Sequence, residues 1–251
     1  MKAVLISIQP KWCAKIASGE KTVEIRKTAP KIEAPFKCYI YCTLPPQEEF
    51  FTHGGIREYA NELIRLQSGE IVYDYGMRLC CDTEGRPYTS ENFLCRKVIG
   101  EFVCDRITPL FNIATDDWKY LKGDTHEWHK RLVGKACLTE DELKSYAKGK
   151  KCLAWHITDL KIYDKPKYLY EFLKCGAPSE KDLDEELCSY CEQTEWGERR
   201  CYGTPTGPVM CEGSFCGEAY DLYLDENYAL KRPPQSWCYV EEPNGQSDDQ
   251  K

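Results

Sequence analysis

Gly19-Glu20-Lys21-Thr22-Val23-Glu24-Ile25-Arg26 is the stretch whose reading decides the fold. From Lys21 onward the side chains alternate, with Thr22, Glu24 and Arg26 on one face and Lys21, Val23 and Ile25 on the other. That period of two is the mark of a strand. Upstream, Ala3-Val-Leu-Ile-Ser-Ile8 is a short β-branched run of buried-strand type, ended by Gln9-Pro10. Pro10 suits the first turn of a helix, which Trp12, Ala14, Ile16 and Ala17 populate before Ser18-Gly19 stops it. The opening is therefore strand, short helix, glycine turn and charged strand.

Working outward, 36–43 reads as a third strand closed by Leu44-Pro45-Pro46. Residues 46–95 look inserted, with a helix expected over 55–66 and an extended stretch over 72–75. A strand is expected over 97–107, while 108–136 is ambiguous. Thr139-Glu-Asp-Glu142 is a capping box for a helix running through Tyr146 and ended by Gly149. Residues 152–163 form a strand that continues past a bend at Asp159. Lys165-Pro166-Lys167 leads into a helix ending near Lys174, and 233–240 reads as a last strand after a rigid entry. Strands joined by short helices without regular βαβ alternation predict a mixed α+β domain with a closed or nearly closed antiparallel barrel. The expected organisation is a barrel from 1–174 together with 233–242, interrupted by insertions at 46–95 and 108–136. A Cys-rich acidic insert occupies 175–232, and a polar, disordered tail 243–251.

Composition narrows the function classes. The 251 residues are enough for a sizeable core, and 42% apolar with 30% charged is ordinary for a globular chain. No apolar run has the length of a membrane span, and the short N-terminal run is followed by charge, so cytosolic residence is expected. The net charge of −7 argues against a protein that coats nucleic acid non-specifically. Residues 1–45 nevertheless hold eight Lys/Arg against three Glu, whereas 175–238 hold five against thirteen Asp/Glu. A basic lobe beside an acidic insert suits a small anionic ligand or a short nucleic-acid segment.

Gly19, Lys21, Glu24 and Arg26 reproduce the G-x-K-x-x-E-x-R signature of ASCH domains, members of the PUA-like superfamily. Leu5-Ser7-Ile8-Gln9-Pro10 resembles that family's opening strand and loop. Val98-Ile-Gly-Glu-Phe-Val103, Ala154-Trp-His-Ile157 and Pro234-Gln-Ser-Trp-Cys-Tyr-Val240 resemble later barrel strands of larger bacterial and phage members. The resemblance leaves out roughly 46–95, 108–136 and 175–232. It implies a PUA-like barrel with short flanking helices and a cleft lined by Lys21, Glu24 and Arg26 that recognises RNA or a nucleotide-like ligand. It also implies ligand contacts from Ser7, Gln9, Trp12 and Thr22. One branch of the superfamily consists of amidohydrolases acting on N4-acetylcytidine, with a Thr nucleophile at the motif's Glu position and the Lys as its activating neighbour. Here that position is Glu24, and Thr22 lies two residues earlier on the same predicted face. A carboxylate does not take over hydroxyl acyl transfer, which favours binding; if the chain is an enzyme, an amidohydrolase or other hydrolase on N-acylated nucleosides or nucleic acid, Lys21 and Glu24 are the expected catalytic pair.

The same residues make sense without the family. Same-face Glu24 and Arg26 pair with each other or jointly meet a ligand, Arg offering a fork of donors and Glu accepting from an amino group. Lys21 reads as a movable point charge at the turn. Trp12 lies near the cleft entrance, while Trp155 and Trp237 read as core. His156 beside Trp155 occupies the opposite strand face, so one of the two is expected to point outward. His126-Glu-Trp-His129 has the wrong spacing for a metal helix.

Of the sixteen cysteines, most are scattered in apolar stretches and read as buried small hydrophobes. Five others, in 188–216, are crowded into a segment poor in apolar residues. Cys188-Ser-Tyr-Cys191 is a C-x2-C knuckle, and with Cys201 and Cys211, or Cys216 as the alternative, it forms a candidate structural Zn2+ site. The insert also offers an acidic surface for a protein partner, and a scaffold role through it is the third functional alternative.

Overall fold

The computed structural model describes residues 2–44, 49–51, 57–59, 62–74, 92–110, 124–177 and 227–241, with backbone alone at 49–51, 57–59, 62, 74 and 124–126. The five clustered cysteines, Cys80, Cys81, the acidic run of the insert and the tail from 243 lie outside the described residues. The chain divides into two compact units, Ala3–Tyr168 with Pro233–Cys238, and Met1–Lys2 with Leu169–Arg232 and Tyr239–Lys251.

The larger unit follows the predicted opening. Strand β1 (Lys2–Ile8) leads through Pro10 into α1 (Pro10–Ala17), and β2 (Val23–Arg26) follows the turn. Gly19 makes that turn at φ +79, a conformation L side chains rarely adopt. β3 (Phe36–Cys42) then pairs parallel with β1, Val4 opposite Cys38 through Ile8 opposite Cys42. The sheet continues antiparallel through β8 (Lys97–Leu110) and β9 (Cys152–Tyr168) to β2 at its edge. Trp237 and Cys238, which open β11 (Trp237–Glu241), lie beyond β1; just before them Ser7 N–H donates to Ser236 O at 2.9 Å.

The expected closed or nearly closed antiparallel barrel is corrected in its all-antiparallel pairing and in full closure. β1 and β3 run parallel, because α1 and β2 intervene and supply the crossover a parallel pair needs. The sheet also does not close through a backbone ladder among the described residues. Side chains lace its edges instead. Arg26 of β2 donates from Nη2 to Ser7 O at 2.5 Å and from Nη1 to Ser236 Oγ at 3.3 Å, and Trp237 Nε1 donates to Thr28 Oγ1 at 3.0 Å.

Inside this curl, β1 is buried from Ala3 to Ile8, as a strand covered on both faces should be. Ile40, Ile99, Phe102 and Trp155 fill the interior, and Trp155 meets Phe36 edge-on at 5.7 Å and Trp237 at 6.2 Å. A second apolar cluster joins Val23 and Ile25 to Leu132, Val133, Leu143 and Ala147 on α2 (Asp124–Lys135) and α3 (Glu140–Ala147). The capping box at Thr139 forms as predicted, its hydroxyl accepting from Glu142 N–H at 3.1 Å while the Glu142 carboxylate accepts from Thr139 N–H at 2.9 Å. The bend expected at Asp159 is present, with φ +47 inside β9.

Two helices expected from sequence are strands. Within 55–66 the chain forms β5 (Arg57–Tyr59), paired with β4 (Glu49–Phe51), and β6 (Glu62–Arg65), paired with β7 (Ile71–Asp74). Toward Lys174, β9 runs on through Lys167 opposite Val98, and only the 3-10 turn Leu169–Glu171 is helical. In both places cross-strand partners outweigh local preference.

At Gly100 the strands β8 and β9 come so close that a Cβ would lie 2.5 Å from Lys161 O. Backbone cannot give way as a flexible side-chain end does. Gly100→Ala is therefore expected to lose about 1–3 kcal/mol of stability. A urea midpoint equal to that of the parent chain would remove this account.

In the smaller unit, β10 (Leu173–Lys174) pairs antiparallel with Val240 and Glu241, and Phe172, Ala229, Leu230 and Val240 are buried. The described cysteines fit the small-hydrophobe reading. All are free, and Cys13, Cys38, Cys42, Cys95, Cys104 and Cys152 are buried. Burial pushes the Cys38 and Cys42 thiols well up and Cys104 to about 12, which keeps them protonated.

Candidate functional site

The turn at Gly19 returns the chain so that Lys21 N–H donates to Lys15 O at 2.8 Å and Thr22 N–H to Lys135 O at 3.0 Å. Lys21 thus stands outside the β2 ladder and does not follow the strand alternation. Its ammonium, only 3% exposed with the rest of the residue, donates to Ala136 O at 2.7 Å, at the C-terminal end of α2. A cation there satisfies a terminal carbonyl and complements the helix dipole. The expected movable point charge is in fact a buried cap.

Glu24 completes the arrangement. Its Oε2 lies 3.2 Å from Lys21 Nζ and its Oε1 3.1 Å from Arg26 Nη2. All three side chains are at least nine-tenths buried. Two cations around one carboxylate leave a net charge of +1 inside the protein, a combination held by geometry because desolvating these groups is costly. Although Lys21 lies within ion-pair distance, Glu24 Oε2 accepts no aligned hydrogen bond from any described group. The distance measures charge pairing without an aligned hydrogen bond. Arg26 Nε is likewise buried without an acceptor.

These groups line a cavity of about 880 Å³. Ser7, Gln9, Trp12, Lys21, Glu24 and Arg26 all border it, so the structure gathers six of the seven expected positions. Thr22 is the exception: it is exposed and does not line the cavity. The reason is the same turn, which ends the strand pattern at Val23 and lets Thr22 point away. Ser7 Oγ donates to Pro234 O at 2.7 Å, committing its proton to the fold. Trp12 is half-buried, with Lys11 Nζ 4.2 Å and Lys21 Nζ 5.2 Å from its ring.

The opposite side comes from α3, which the sequence did not connect to the motif. Asp141, Glu142, Ser145 and Tyr146 line the cavity, and Lys11 reaches across to Glu142 at 3.4 Å. Burial raises the Tyr146 hydroxyl pKa, Arg26 opposing and Glu24 adding to the rise, which places its ring near the buried charges. Hydrogen bonds hold the Glu142 carboxyl below its usual value, the Thr139 backbone first among them. The i, i+4 spacing of Asp141 with Ser145 and of Glu142 with Tyr146 signals a shared helix face. Nothing in the spacing says which cavity that face meets.

Other expected residues fall elsewhere. Trp155 is fully buried, as the core reading had it, and Trp237 is half-buried against it. The expectation that Trp155 or His156 points outward fails, since His156 is 9% exposed. Thr108 and Arg106 of β8 cover its ring, 2.9 Å from Nε2 and 3.2 Å from Nδ1. Burial, then Arg106, lowers the His156 pKa, so the imidazole is a neutral structural group. His129 is buried on α2. Among the described residues no group of three His, Cys, Asp or Glu could hold a metal ion, and no helix is long and apolar enough to cross a membrane.

No family model matches the chain, and no curated protein matches it. Among solved structures the chain is similar to ASCH from Zymomonas mobilis, at 16% identity over 91% of this chain and 96% of that one, with a TM-score of 0.36. A point mutant of the same protein aligns over 91% of this chain and 100% of its own, at 16% identity and a TM-score of 0.37. A likeness of this size assigns no role to the residues around the cavity.

Proposed function

We propose that the chain is an ASCH-type binding module that holds RNA, or a nucleotide-like ligand, by one base in the cavity bordered by Trp12, Lys21, Glu24 and Arg26. The observation that carries this reading is the buried Glu24 carboxylate, fixed by two cations, in a cavity lining that it shares with half-buried Trp12. A carboxylate of this kind accepts from an exocyclic amino group, and an indole face stacks on any base.

Binding is favoured over acyl transfer at the two hydroxyls among the expected site residues, Thr22 and Ser7. Thr22 lies outside the cavity and Ser7 is committed to Pro234 O, so neither is placed as a nucleophile beside Lys21. The zinc site stays a proposal resting on the cysteine spacing at 188–216, and the scaffold role one resting on the acidic insert.

Trp12→Ala is the cleanest test, because Trp12 is half-buried at the cavity wall while Lys21 and Arg26 are built into the fold. Loss of one stacked base is expected to weaken retention of a short single-stranded RNA by about 1–3 kcal/mol, measured by fluorescence anisotropy. Equal retention by the parent and variant chains would sink the reading, as would no retention by the parent.

A further inference from the structure

We infer that the cavity takes an uncharged base or nucleoside and rejects a phosphate group at its mouth, with Asp141 as the specificity-determining residue. The inference rests on the binding reading above and narrows its ligand. Its ground is the state of each charge around the cavity. Lys11, Lys21 and Arg26 are balanced by Glu24, Asp141 and Glu142, so the lining carries no net charge.

Each lining cation already has a carboxylate partner. Lys21 donates to Ala136 O at 2.7 Å and stands 3.2 Å from Glu24. Arg26 spends its Nη groups on Glu24, Ser7 O and Ser236. Lys11 is paired with Glu142 at 3.4 Å. Asp141, by contrast, is exposed and has no ion-pair partner among the described residues.

The N-terminus of α3 could have drawn a phosphate to its free N–H groups. It does not offer them freely. Thr139 Oγ1 already takes the Glu142 N–H, the Glu142 carboxylate sits over the same end, and Glu140 and Asp141 add negative charge to the first turn. A phosphate at this mouth would meet carboxylates, while of the outer cations Lys11 is paired with Glu142 and Lys27 is held over the Tyr146 ring at 4.9 Å. A base meets Trp12 and Glu24, and in an RNA strand the phosphates would stay outside.

The test is calorimetric titration of the full chain with cytidine and adenosine and with their 5′-monophosphates, at low and high salt. The nucleosides are expected to bind with affinity that salt leaves unchanged, and the monophosphates about tenfold more weakly at low salt, with the gap closing as salt screens the repulsion. Asp141→Lys is expected to raise the monophosphate-to-nucleoside affinity ratio about tenfold at low salt. A monophosphate that binds the parent chain as tightly as its nucleoside, or a ratio that Asp141→Lys does not move, overturns the inference while leaving the base-binding reading intact. If neither nucleosides nor a short RNA bind the parent chain, the binding reading falls and the inference with it.

Discussion

Glu24→Ala is expected to cost about 3–5 kcal/mol of stability, because it leaves two cations buried without their counter-charge. Lys21 and Arg26 lie 3.2 and 3.1 Å from Glu24, and both side chains are buried. The loss should appear as a lower urea midpoint with an unchanged slope, since the same surface is exposed on unfolding. Glu24→Gln keeps the shape and an acceptor but not the charge, and should fall between parent and alanine variant. In a double-mutant cycle, Lys21→Met combined with Glu24→Ala should cost less than the sum of the two single changes, because the pair is then removed together. A loss below about 1 kcal/mol for Glu24→Ala would mean that the group behaves as an exposed ion pair, contrary to its burial.

Trp155→Ala should be comparably severe, at about 3–5 kcal/mol. Trp155 is fully buried, lies opposite Glu24 in the β2–β9 ladder, and touches Phe36 and Trp237 from the other strands of the curl. Its removal opens a void where the laced edges of the sheet come together, and the surrounding strands can collapse into it only partly. Trp155→Phe retains much of the apolar volume and should recover part of the loss. Because Trp155 does not line the cavity, stabilised Trp155 variants should still retain ligand, whereas Trp12→Ala should lose ligand without a matching fall in stability. That opposition separates core from site. If Trp12→Ala and Trp155→Ala lower stability equally, the division is wrong.

The same contrast shows where local sequence carried the reading. The alternation at 23–26, Pro10 at the start of α1, Gly19 at φ +79 and the Thr139–Glu142 capping box are all decided by residues within a few positions of one another. They appeared as predicted. The stretch 55–66 did not: Ile56, Tyr59, Leu63 and Ile64 fit a helical face, yet Leu63 pairs with Tyr73 and Ile64 with Val72. Short apolar runs fit either period, and a distant partner strand settles the matter.

Sequence alone determined that Glu24 and Arg26 would share a strand face just past a glycine turn and a short helix bearing Trp12, because that spacing is local, whereas it put Lys21 on the other face. Only the tertiary structure decided what these three charges became. Packing of α2 buried Lys21 against Ala136 O, the curl of the sheet turned Arg26 from a ligand fork into a clasp on Ser7 and Ser236, and α3 brought carboxylates to the cavity mouth. Those partners are separated in the chain by as many as 210 residues. Whether a charge is free for a ligand or spent on the fold depends on which distant backbone docks against it, and no local pattern records that.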